Sequence, residues 1–454
     1  MDVVTLEVPE LGNRCHLVHD GRHALVVDPP RNLAPIESVA EAAGVEITAV
    51  ADTHVHNDYV SGAPGLARRH GADHLLAADE PVDFERIGVR DGDVVPVGRL
   101  EVTVLATPGH TRHHQAFLVR EAGAGDVPGA LFSGGSLLHG SVGRTDLVDA
   151  RLTEELARQQ WASARRLGEL DPATRLHPTH GFGSFCAGTA TTAPDSGGGF
   201  TIGQQRGTNP ALVVDQDSFV AELVAGFGPV PRYYGHMAPL NRAGAGRALP
   251  RPGRPVTAEQ VTDAVLAGAW VVDLRRRDTF AAAHLPGAVS VEYGTQFATY
   301  VGWLVPWDDD LVLLCDSPEP ITSALRDLAA IGIDGPAIHV LDREEPLTAS
   351  YRRADWAEFR AHQGPRVVVD VRQRDEYDDG HLPGAVHLPV QDVDVAADSL
   401  PAGQLWVHCR SGYRAGIAAS VLQRHGRSVV HVDDAWDRVA ELGIPTTTEG
   451  GAAA

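Results

Sequence analysis

The chain has 454 residues, and at about 150 residues per domain this length predicts about three domains. Its 38 basic and 60 acidic side chains give a formal net charge of −22, which excludes a binder of nucleic acid or of an anionic membrane. Four cysteines are too few for a disulfide framework, and no apolar run is long enough to span a bilayer. The first residues carry no basic, apolar leader, so we expect a cytoplasmic protein with reduced thiols.

Four predicted strands in the first half of the chain each end in a loop rich in histidine or glycine. Thirteen of the 22 histidines lie within the first 180 residues. The strands are predicted at 45–51, 100–104, 130–132 and 174–177, and they run into THVH, TPGH, SGGS and PTHG. Polar side chains gathered at one end of a sheet are typical of a functional site on a rigid scaffold. Residues 189–208, which include three consecutive glycines, are predicted to form a loop.

The histidines at these strand ends are candidates for metal ligands. His54 and His56 leave the first strand two positions apart, so their side chains share a face and are able to meet one ion. His110 and His180 follow two of the other strands, and Asp58 stands beside the first pair. A single histidine of this kind is typical of a packing or capping role, but four together favour a metal site.

The second half of the chain contains an internal repeat. The segment VVDLRRRDTFAAAHLPGAVSV begins at Val271, and VVDVRQRDEYDDGHLPGAVHL begins at Val368. A repeat of this length indicates two domains of one kind rather than a solenoid unit. A linker rich in Gly, Pro and Arg at 243–255 precedes the repeat. We therefore predict three domains, at 1–250, 251–350 and 351–454.

The segment HCRSGYR carries the strongest chemical motif of the chain. A short strand predicted at 405–407 leads to Cys409, and a helix is predicted at 415–424. A loop at a helix N-terminus directs backbone N–H groups at the sulfur, and Arg410 and Arg414 add positive charge, so the loop favours a thiolate and a persulfide. The predicted cradle is completed by the backbone of Ser411, Gly412 and Tyr413. Cysteine phosphatases use a longer loop, so the loop length favours sulfur over phosphate.

The corresponding cysteine of the first repeat copy, Cys315, lies in a different kind of loop. It is followed by DSPEP, which has two acidic residues, two prolines and no arginine, and proline lacks a backbone donor. Such a loop repels a thiolate. We therefore predict that the first copy is non-catalytic and has a structural or docking role.

In chain order, the segments THVHNDYVSG, TPGHT, FSGGSLL, GRTDL and PTHGFGSFC resemble motifs of the metallo-β-lactamase fold. More narrowly, they resemble the persulfide dioxygenases that are fused to tandem rhodanese domains. The resemblance implies an α/β fold class, with an N-terminal αββα sandwich followed by two rhodanese-like α/β domains. It implies one Fe(II) per chain, held by an aspartate and two histidines, here His54 and His110. Members of this family oxidise glutathione persulfide to sulfite and glutathione, and the rhodanese resemblance implies that Cys409 carries a persulfide.

Two positions depart from the pattern of that family. Tyr59 replaces the last histidine of the HxHxDH motif, which belongs to a second metal that a mononuclear dioxygenase does not need. Gly135 replaces the aspartate ligand of the FTGD motif, so the iron triad is incomplete. We expect that Gly135→Asp restores this triad. Zn is the alternative metal, and the candidates for additional ligands are His56, Asp58 and His180.

Arg144, in the GRTDL motif, is a candidate for binding the carboxylate of glutathione, because its planar guanidinium matches a carboxylate. The other interpretation is a structural ion pair with Asp146 in a turn. The sequence leaves both roles open.

The leading interpretation is an enzyme of sulfur metabolism that handles glutathione-type persulfides, with a sulfurtransferase site at Cys409 and a dioxygenase-like N-terminal domain. Its expected partners are a small-molecule persulfide or thiol, thiosulfate and sulfite, and a homo-oligomer is left open. One alternative is a metal-poor persulfide-binding or sulfide-responsive scaffold that has sulfurtransferase activity only. Another is a thioester hydrolase like glyoxalase II, which needs two metals and the bridging aspartate that Gly135 replaces.

Overall fold

A computed structural model describes residues 1–123, 125, 127–181, 184–188, 200–247 and 249–448. The chain divides into two compact units. The first comprises Met1–Pro250 together with Leu328–Ile333, and the second comprises Arg251–Asp327 and Asp334–Ala454.

Two β-sheets form the centre of the first unit. The first sheet has six strands, ordered as in the chain: β1 (Asp2–Val8), β2 (Asn13–His19), β3 (His23–Val27), β4 (Glu46–Ala51), β5 (Asp73–Ala77) and β6 (Ile87–Val89). The second sheet, ordered β11-β10-β9-β8-β7, consists of β7 (Val94–Val97), β8 (Leu100–Ala106), β9 (Gln115–Glu121), β10 (Ala130–Gly134) and β11 (Arg175–Pro178). In β8 the predicted alternation is present, because Leu100, Val102 and Val104 join a core that both sheets share.

Helices cover the outer faces of both sheets. They are α1 (Ala34–Ala43), α2 (Ala63–His70), α3 (Thr153–Gly168), α4 (Ile202–Thr208), α5 (Pro210–Val213), α6 (Gln216–Ala225) and α7 (Tyr234–Arg242). Ile36 of α1 and Leu66 of α2 share a core with Val26 of the first sheet, and Ala157 of α3 shares another with Leu118 of the second. This arrangement of layers is an αββα sandwich, so the predicted fold class is confirmed.

The loop predicted at 189–208 is described only in part, because residues 189–199 lie outside the described residues. Its last residues form helix α4, so the loop prediction is wrong there. The physical reason is a capping box. The Thr201 hydroxyl accepts a hydrogen bond from the Gln204 backbone N–H, and the Gln204 side chain accepts one from the Thr201 N–H.

The second unit contains two parallel five-stranded sheets that correspond to the two copies of the repeat. The first copy consists of β12 (Arg254–Pro255), α8 (Ala258–Leu266), β13 (Trp270–Asp273), α9 (Arg277–Ala282), β14 (Val289–Ser290), α10 (Phe297–Leu304), β15 (Leu311–Cys315), α11 (Pro318–Ala330) and β16 (Ala337–Val340). The second copy consists of β17 (Arg352–Ala354), α12 (Trp356–Ala361), β18 (Val367–Asp370), α13 (Arg374–Asp378), β19 (Val386–His387), α14 (Val393–Ala396), β20 (Leu405–His408), α15 (Tyr413–Arg424), β21 (Val429–Val432) and α16 (Asp437–Glu441). Short 3-10 turns lie at Ala150–Leu152, Ala245–Arg247, Val390–Asp392 and Ala397–Ser399.

The two copies share one topology. The strand order is β12-β16-β15-β13-β14 in the first sheet and β17-β21-β20-β18-β19 in the second, which is the same order of equivalent strands. Helix α15 begins at Tyr413, two residues before the start that the sequence predicts, so Gly412 lies directly at its N-terminus. Among the described residues, none of the helices combines the length and the apolar character needed to cross a membrane.

Candidate metal centre and sulfur-transfer loop

Three histidine rings converge where strands of the first unit end. His54 follows β4, His110 follows β8 and His180 follows β11, and all three side chains are almost fully buried. Each offers a ring nitrogen, and these nitrogens all lie within 4.8 Å of one another. The Nε2 atoms of His110 and His180 are 3.3 Å apart. The structure therefore brings together three of the histidines that the sequence singles out.

The hydrogen bonds of His110 and His180 fix where each ring carries its proton. His110 Nδ1 is 2.7 Å from the backbone carbonyl of Arg144, which only accepts, so Nδ1 donates. His180 Nδ1 is 3.0 Å from Asn13 Oδ1, and the amide of Asn13 is oriented because its Nδ2 donates to Asp58 Oδ2 at 2.6 Å. Both Nε2 atoms are therefore unprotonated, and their lone pairs face each other.

The same reasoning applies to His54. Its Nδ1 is 2.9 Å from Thr53 Oγ1, and the Thr53 hydroxyl donates its own proton to Asp28 Oδ2 at 2.8 Å. His54 Nδ1 therefore donates, and its Nε2 is a buried lone pair without a hydrogen-bond partner among the described residues. Burial lowers the pKa of His54 well below its ordinary value and lowers the pKa values of His110 and His180 to about 3.

Three neutral imidazoles with converging lone pairs fit a divalent transition metal. Lone pairs that face one another in a dry site repel, and a cation between them removes the repulsion. A set of three histidines is a known donor set for a catalytic metal that keeps an open position. The residues present therefore fit Fe(II) or Zn(II), with His54, His110 and His180 as the ligands.

The position where the family has its aspartate is filled by another side chain. A Cβ atom on Gly135 would lie 2.3 Å from Cδ2 of His110, far inside contact distance. The His110 ring is held in place, because its Nδ1 donates to the Arg144 carbonyl and its backbone N–H donates to Gln160 Oε1 at 2.8 Å. We therefore predict that Gly135→Asp displaces the His110 ring and does not simply complete a triad.

His56 does not join the three histidines. Its Nε2 lies 3.2 Å from Asp28 Oδ1 and 3.0 Å from the Tyr59 hydroxyl, and Asp52 lies 3.6 Å away. Burial by itself lowers the pKa of His56, but the Asp28 carboxylate outweighs it, with Asp52, and raises the pKa to about 10. The sequence placed His56 on the same ion as His54, whereas the structure places it in a separate buried cluster with two carboxylates.

Asp58 lies on the far side of His180 from the other ligand histidines. Its Oδ2 is 3.5 Å from His180 Nδ1, and it forms a group of potential ligands with His180 and Cys186. Cys186 in this group is a neutral thiol donor to Tyr234 rather than a thiolate, because burial raises the pKa of the Cys186 thiol well above its ordinary value and its sulfur lies 3.9 Å from the Tyr234 hydroxyl. Asp58 therefore orients His180 through Asn13 and adds negative charge next to the three histidines.

A cavity of about 510 Å³ lies beside the metal centre. Three of its lining residues are chain neighbours of candidate ligands: Val55, Asn57 and Thr111. The polar side chains that line it include Arg112, His113, Glu80, Tyr234 and Arg242. Arg242 is paired with Glu80 at 2.9 Å. The cavity is large enough for a small peptide-like thiol and carries net positive charge at Arg112.

The contacts of Arg144 favour the structural role over the substrate-binding one. Its guanidinium binds Asp146 through two hydrogen bonds of 2.7 Å, donates to the Gly228 carbonyl at 2.8 Å and lies 5.0 Å from the centre of the Phe227 ring. The side chain is 5% exposed, so no carboxylate of a ligand reaches it. Its contribution to the site is its backbone carbonyl, which orients His110.

Three polar residues that orient the ligands were missed by the sequence analysis: Asn13, Thr53 and Gln160. Gln160, on α3, accepts from the His110 backbone N–H and donates to the Gly135 carbonyl at 3.0 Å. In α3, Gln160 is buried alongside Leu156, Ala157 and Ala164, and a glutamine among apolar residues at helical spacing is a signal that the sequence offers. Asn13 and Thr53 carry no such signal, since short polar residues are common at strand ends.

The Cys409 loop is the second site, and it lies within the second unit. The buried sulfur of Cys409 accepts hydrogen bonds from the backbone N–H groups of Gly412 at 3.2 Å and Ala415 at 3.4 Å. Gly412 has φ +88°, a left-handed conformation that favours glycine and turns its N–H toward the sulfur. Two donors at the N-terminus of α15 suit an anionic sulfur.

Neither arginine of the loop donates a hydrogen bond to the Cys409 sulfur, but Arg414 lies near enough for its charge to act on that sulfur, as the sequence predicted. Arg414 makes a bidentate ion pair with Glu376, at 2.5 and 2.8 Å, and the Arg410 side chain is exposed. The Arg410 carbonyl accepts from the Trp436 N–H, which braces the loop. Of the predicted backbone donors, Gly412 reaches the sulfur, whereas no hydrogen bond joins the sulfur to Ser411 or Tyr413 in the described structure.

Cys315 contrasts with Cys409 at the equivalent strand end. Burial raises the pKa of its thiol above the ordinary value; the backbone N–H of Ser317 acts against this shift, and the charge of Asp316 adds to it. The Cys315 sulfur lies 3.6 Å from Asp316 Oδ1. Helix α11 begins with Pro318, which has no N–H to offer.

Comparisons with known proteins agree with this architecture. A family model for the Rhodanese-like domain matches residues 353–441. Hydroxyacylglutathione hydrolase from Fuscovulum blasticum is 35% identical over 188 residues, which are 39% of this chain and 66% of that protein. The enzyme of the same name from Cereibacter sphaeroides is 33% identical over 205 residues, 43% of this chain and 74% of that protein. The chain spans slightly less than two thirds of the length of the first of these relatives.

A solved structure shows the fold. The crystal structure of a metallo-β-lactamase from Staphylococcus aureus has a TM-score of 0.66 at 24% identity and covers 75% of this chain and 99% of its own. The N-terminal fold is thus of the metallo-β-lactamase class. The chain belongs to the family of hydroxyacylglutathione hydrolase-like proteins of that fold and carries a rhodanese-like domain at its C-terminal end.

Proposed function

We propose that the chain is an enzyme of sulfur metabolism with two sites. The second rhodanese copy transfers sulfane sulfur through a persulfide on Cys409, and the metal centre oxidises a glutathione-type persulfide. The observation that carries the proposal is the buried Cys409 sulfur, which accepts two backbone hydrogen bonds at the start of α15.

The transfer step follows from this geometry. The Cys409 thiolate attacks the sulfane sulfur of thiosulfate or of a persulfide, and a new S–S bond forms as the S–S bond of the donor breaks. Sulfite or a thiolate leaves with the electron pair. The N–H groups of Gly412 and Ala415 stabilise the anion before and after the attack, and an acceptor thiol then takes the outer sulfur from Cys409.

The metal centre and its cavity support the second activity. Fe(II) bound by His54, His110 and His180 would supply the chemistry of O₂. The chain holds the three rings in the neutral, Nδ1-protonated form and buries them away from bulk water. Arg112, which lines the cavity, suits a thiol that carries a carboxylate, and the curated relatives are named for a glutathione thioester.

Two-metal thioester hydrolysis is the weaker candidate. Gly135 has no side chain to bridge two ions, and His56 and Tyr59 are hydrogen-bonded to each other instead of to the three-histidine set. The other candidate is a metal-poor scaffold that has sulfurtransferase activity only. Measuring the metal content of the purified chain distinguishes it from the leading proposal, because the scaffold would hold little or no metal.

The test uses Cys409→Ser and, as the matched control, Cys315→Ser. After incubation with thiosulfate, mass spectrometry of the intact wild type is expected to show one added sulfur atom at Cys409. Cys409→Ser is expected to lose both this adduct and thiosulfate sulfurtransferase activity, while Cys315→Ser keeps them. Equal losses in the two variants would contradict the proposal.

A further inference from the structure

An aromatic side chain of the first rhodanese copy, Tyr300, lies beside the Cys409 loop of the second copy. Tyr300, on α10, is 5% exposed, and its ring centre lies 5.6 Å from that of Tyr413. Burial raises the pKa of Tyr300 to about 12, with Arg414 acting against the shift and Cys409 adding to it. The phenol is thus protonated at neutral pH and is close enough to Cys409 and Arg414 to interact with their charges.

The Tyr300 hydroxyl is available as a donor. Within the described part of the chain it has no hydrogen-bond partner, although its neighbour Tyr413 donates to the Glu292 carbonyl at 2.8 Å. The Tyr300 hydroxyl is not among the fully buried polar atoms that lack a partner, so it is not completely shielded from solvent and is free to donate to a ligand that arrives beside Cys409.

A second residue of the first copy, Arg277, contacts the Cys409 loop indirectly, through Asp433. Arg277, at the start of α9, donates from Nε to Asp433 Oδ1 at 2.8 Å and from Nη1 to Glu292 Oε2 at 2.7 Å. The Asp433 carboxylate lies against Gly412, since a Cβ on that glycine would be 2.0 Å from Asp433 Oδ1. Arg277 and Arg353, whose Nε donates to Asp433 Oδ2 at 3.0 Å, therefore hold from two sides the carboxylate against which Gly412 rests while the Gly412 N–H points at Cys409.

We propose that the non-catalytic first copy completes the sulfur-transfer site of the second, with Tyr300 donating a hydrogen bond to the incoming anionic sulfane-sulfur donor and Arg277 positioning the loop. This inference rests on the proposed transfer at Cys409. The ligand class is a small anion such as thiosulfate, whose sulfonate oxygens accept from the phenol while Cys409 attacks the outer sulfur. The S–S bond to the sulfonate breaks, and sulfite leaves with the electron pair.

The main test compares Tyr300→Phe with Tyr293→Phe. Tyr293 is a second tyrosine of the same copy whose hydroxyl already donates to Asp327 Oδ2 at 2.9 Å. With thiosulfate as the donor and cyanide as the acceptor, Tyr300→Phe is expected to lower kcat/KM by about tenfold to a hundredfold, the scale of a lost hydrogen bond to a charged group. Tyr293→Phe is expected to stay within about twofold of the wild type.

The positioning role is tested with Arg277→Gln and Arg277→Lys. The first is expected to lower kcat more than it raises KM, and the second to restore part of kcat, because lysine keeps the positive charge beside Asp433. Arg276→Gln is the control, since Arg276 pairs with Asp278 on the surface. Unchanged kinetics in both Tyr300→Phe and Arg277→Gln would overturn this inference alone, whereas a wild type that forms no persulfide at Cys409 would overturn it together with the proposed transfer.

Discussion

Each candidate ligand histidine carries its proton on Nδ1, because a neighbouring acceptor holds it there. For His110 the acceptor is a backbone carbonyl, and for His180 it is an amide oxygen whose orientation is set by Asp58. Second acceptors of this kind are common around metal sites, where they fix the tautomer and the orientation of the ring. The three Nε2 lone pairs that result are the strongest argument for a metal in the first unit.

The contribution of His180 is tested by measuring metal affinity. We expect the wild type to bind about one Fe(II) or Zn(II) per chain. We expect His180→Ala to weaken metal binding by at least about tenfold, since the loss of a residue that only hydrogen-bonds to a ligand already lowers metal affinity about 10- to 100-fold. Elemental analysis and competition with a chelator give the stoichiometry and the affinity.

His177→Ala is the matched control for this measurement. His177 lies on β11 and stacks on Phe132 at 5.2 Å, so its loss leaves the three-histidine set intact. A His180→Ala chain that holds as much metal as the wild type, with the same affinity, would show that the third ligand is another residue.

At the scale of single residues, the sequence predicted identities better than orientations. It singled out His54, His110 and Cys409, which the structure places at buried strand ends. It could not predict that Arg414 pairs with Glu376, because the partner lies far away in the chain. It also could not predict that the His110 ring occupies the space beside Gly135, since that depends on the packing of α3 through Gln160.

Secondary-structure elements set the geometry of both sites. The strands of the first unit deliver the ligand loops, and this part of the fold was predicted from alternation and turn residues. The pattern could not show that His56 turns away from His54. Alternate residues share a face only while the strand continues. His54 and His56 both lie in the loop beyond β4, where the strand spacing no longer holds and Asp28 binds His56.

The turn between β20 and α15 depends on glycine. We expect Gly412→Ala to cost about 1 to 3 kcal/mol in stability, because the residue has φ +88° and an added Cβ would strike Asp433. We also expect sulfurtransferase activity to fall by about tenfold or more, which is the scale of losing one preorganised N–H donor. Thermal unfolding and steady-state kinetics measure the two effects.

Gly426→Ala separates backbone strain from the contact with Asp433. Gly426 follows the other end of α15, has φ +74° and has nothing within 4 Å of an added Cβ. We expect this variant to lose stability but to keep its activity. Equal activity in Gly412→Ala and Gly426→Ala would show that the turn does not position the donor.

At the scale of the whole molecule, the chain joins a metallo-β-lactamase fold to two copies of one α/β topology. The repeat was evident from the sequence, and the matching strand orders agree with it. The rhodanese-like family model matches the second copy, at 353–441, which is the copy that has the glycine turn and the cradle for sulfur. The division of labour between the copies stays a prediction.

The function proposed for this chain combines persulfide oxidation at a three-histidine metal centre with sulfur transfer at Cys409. The most direct measurement is O₂ consumption by the Fe(II)-loaded chain with glutathione persulfide, followed by assay of sulfite. We predict O₂ uptake with formation of sulfite in the wild type and in Cys409→Ser, and its loss in His110→Ala. An iron-loaded wild type that consumes no O₂ but hydrolyses a glutathione thioester would contradict the account.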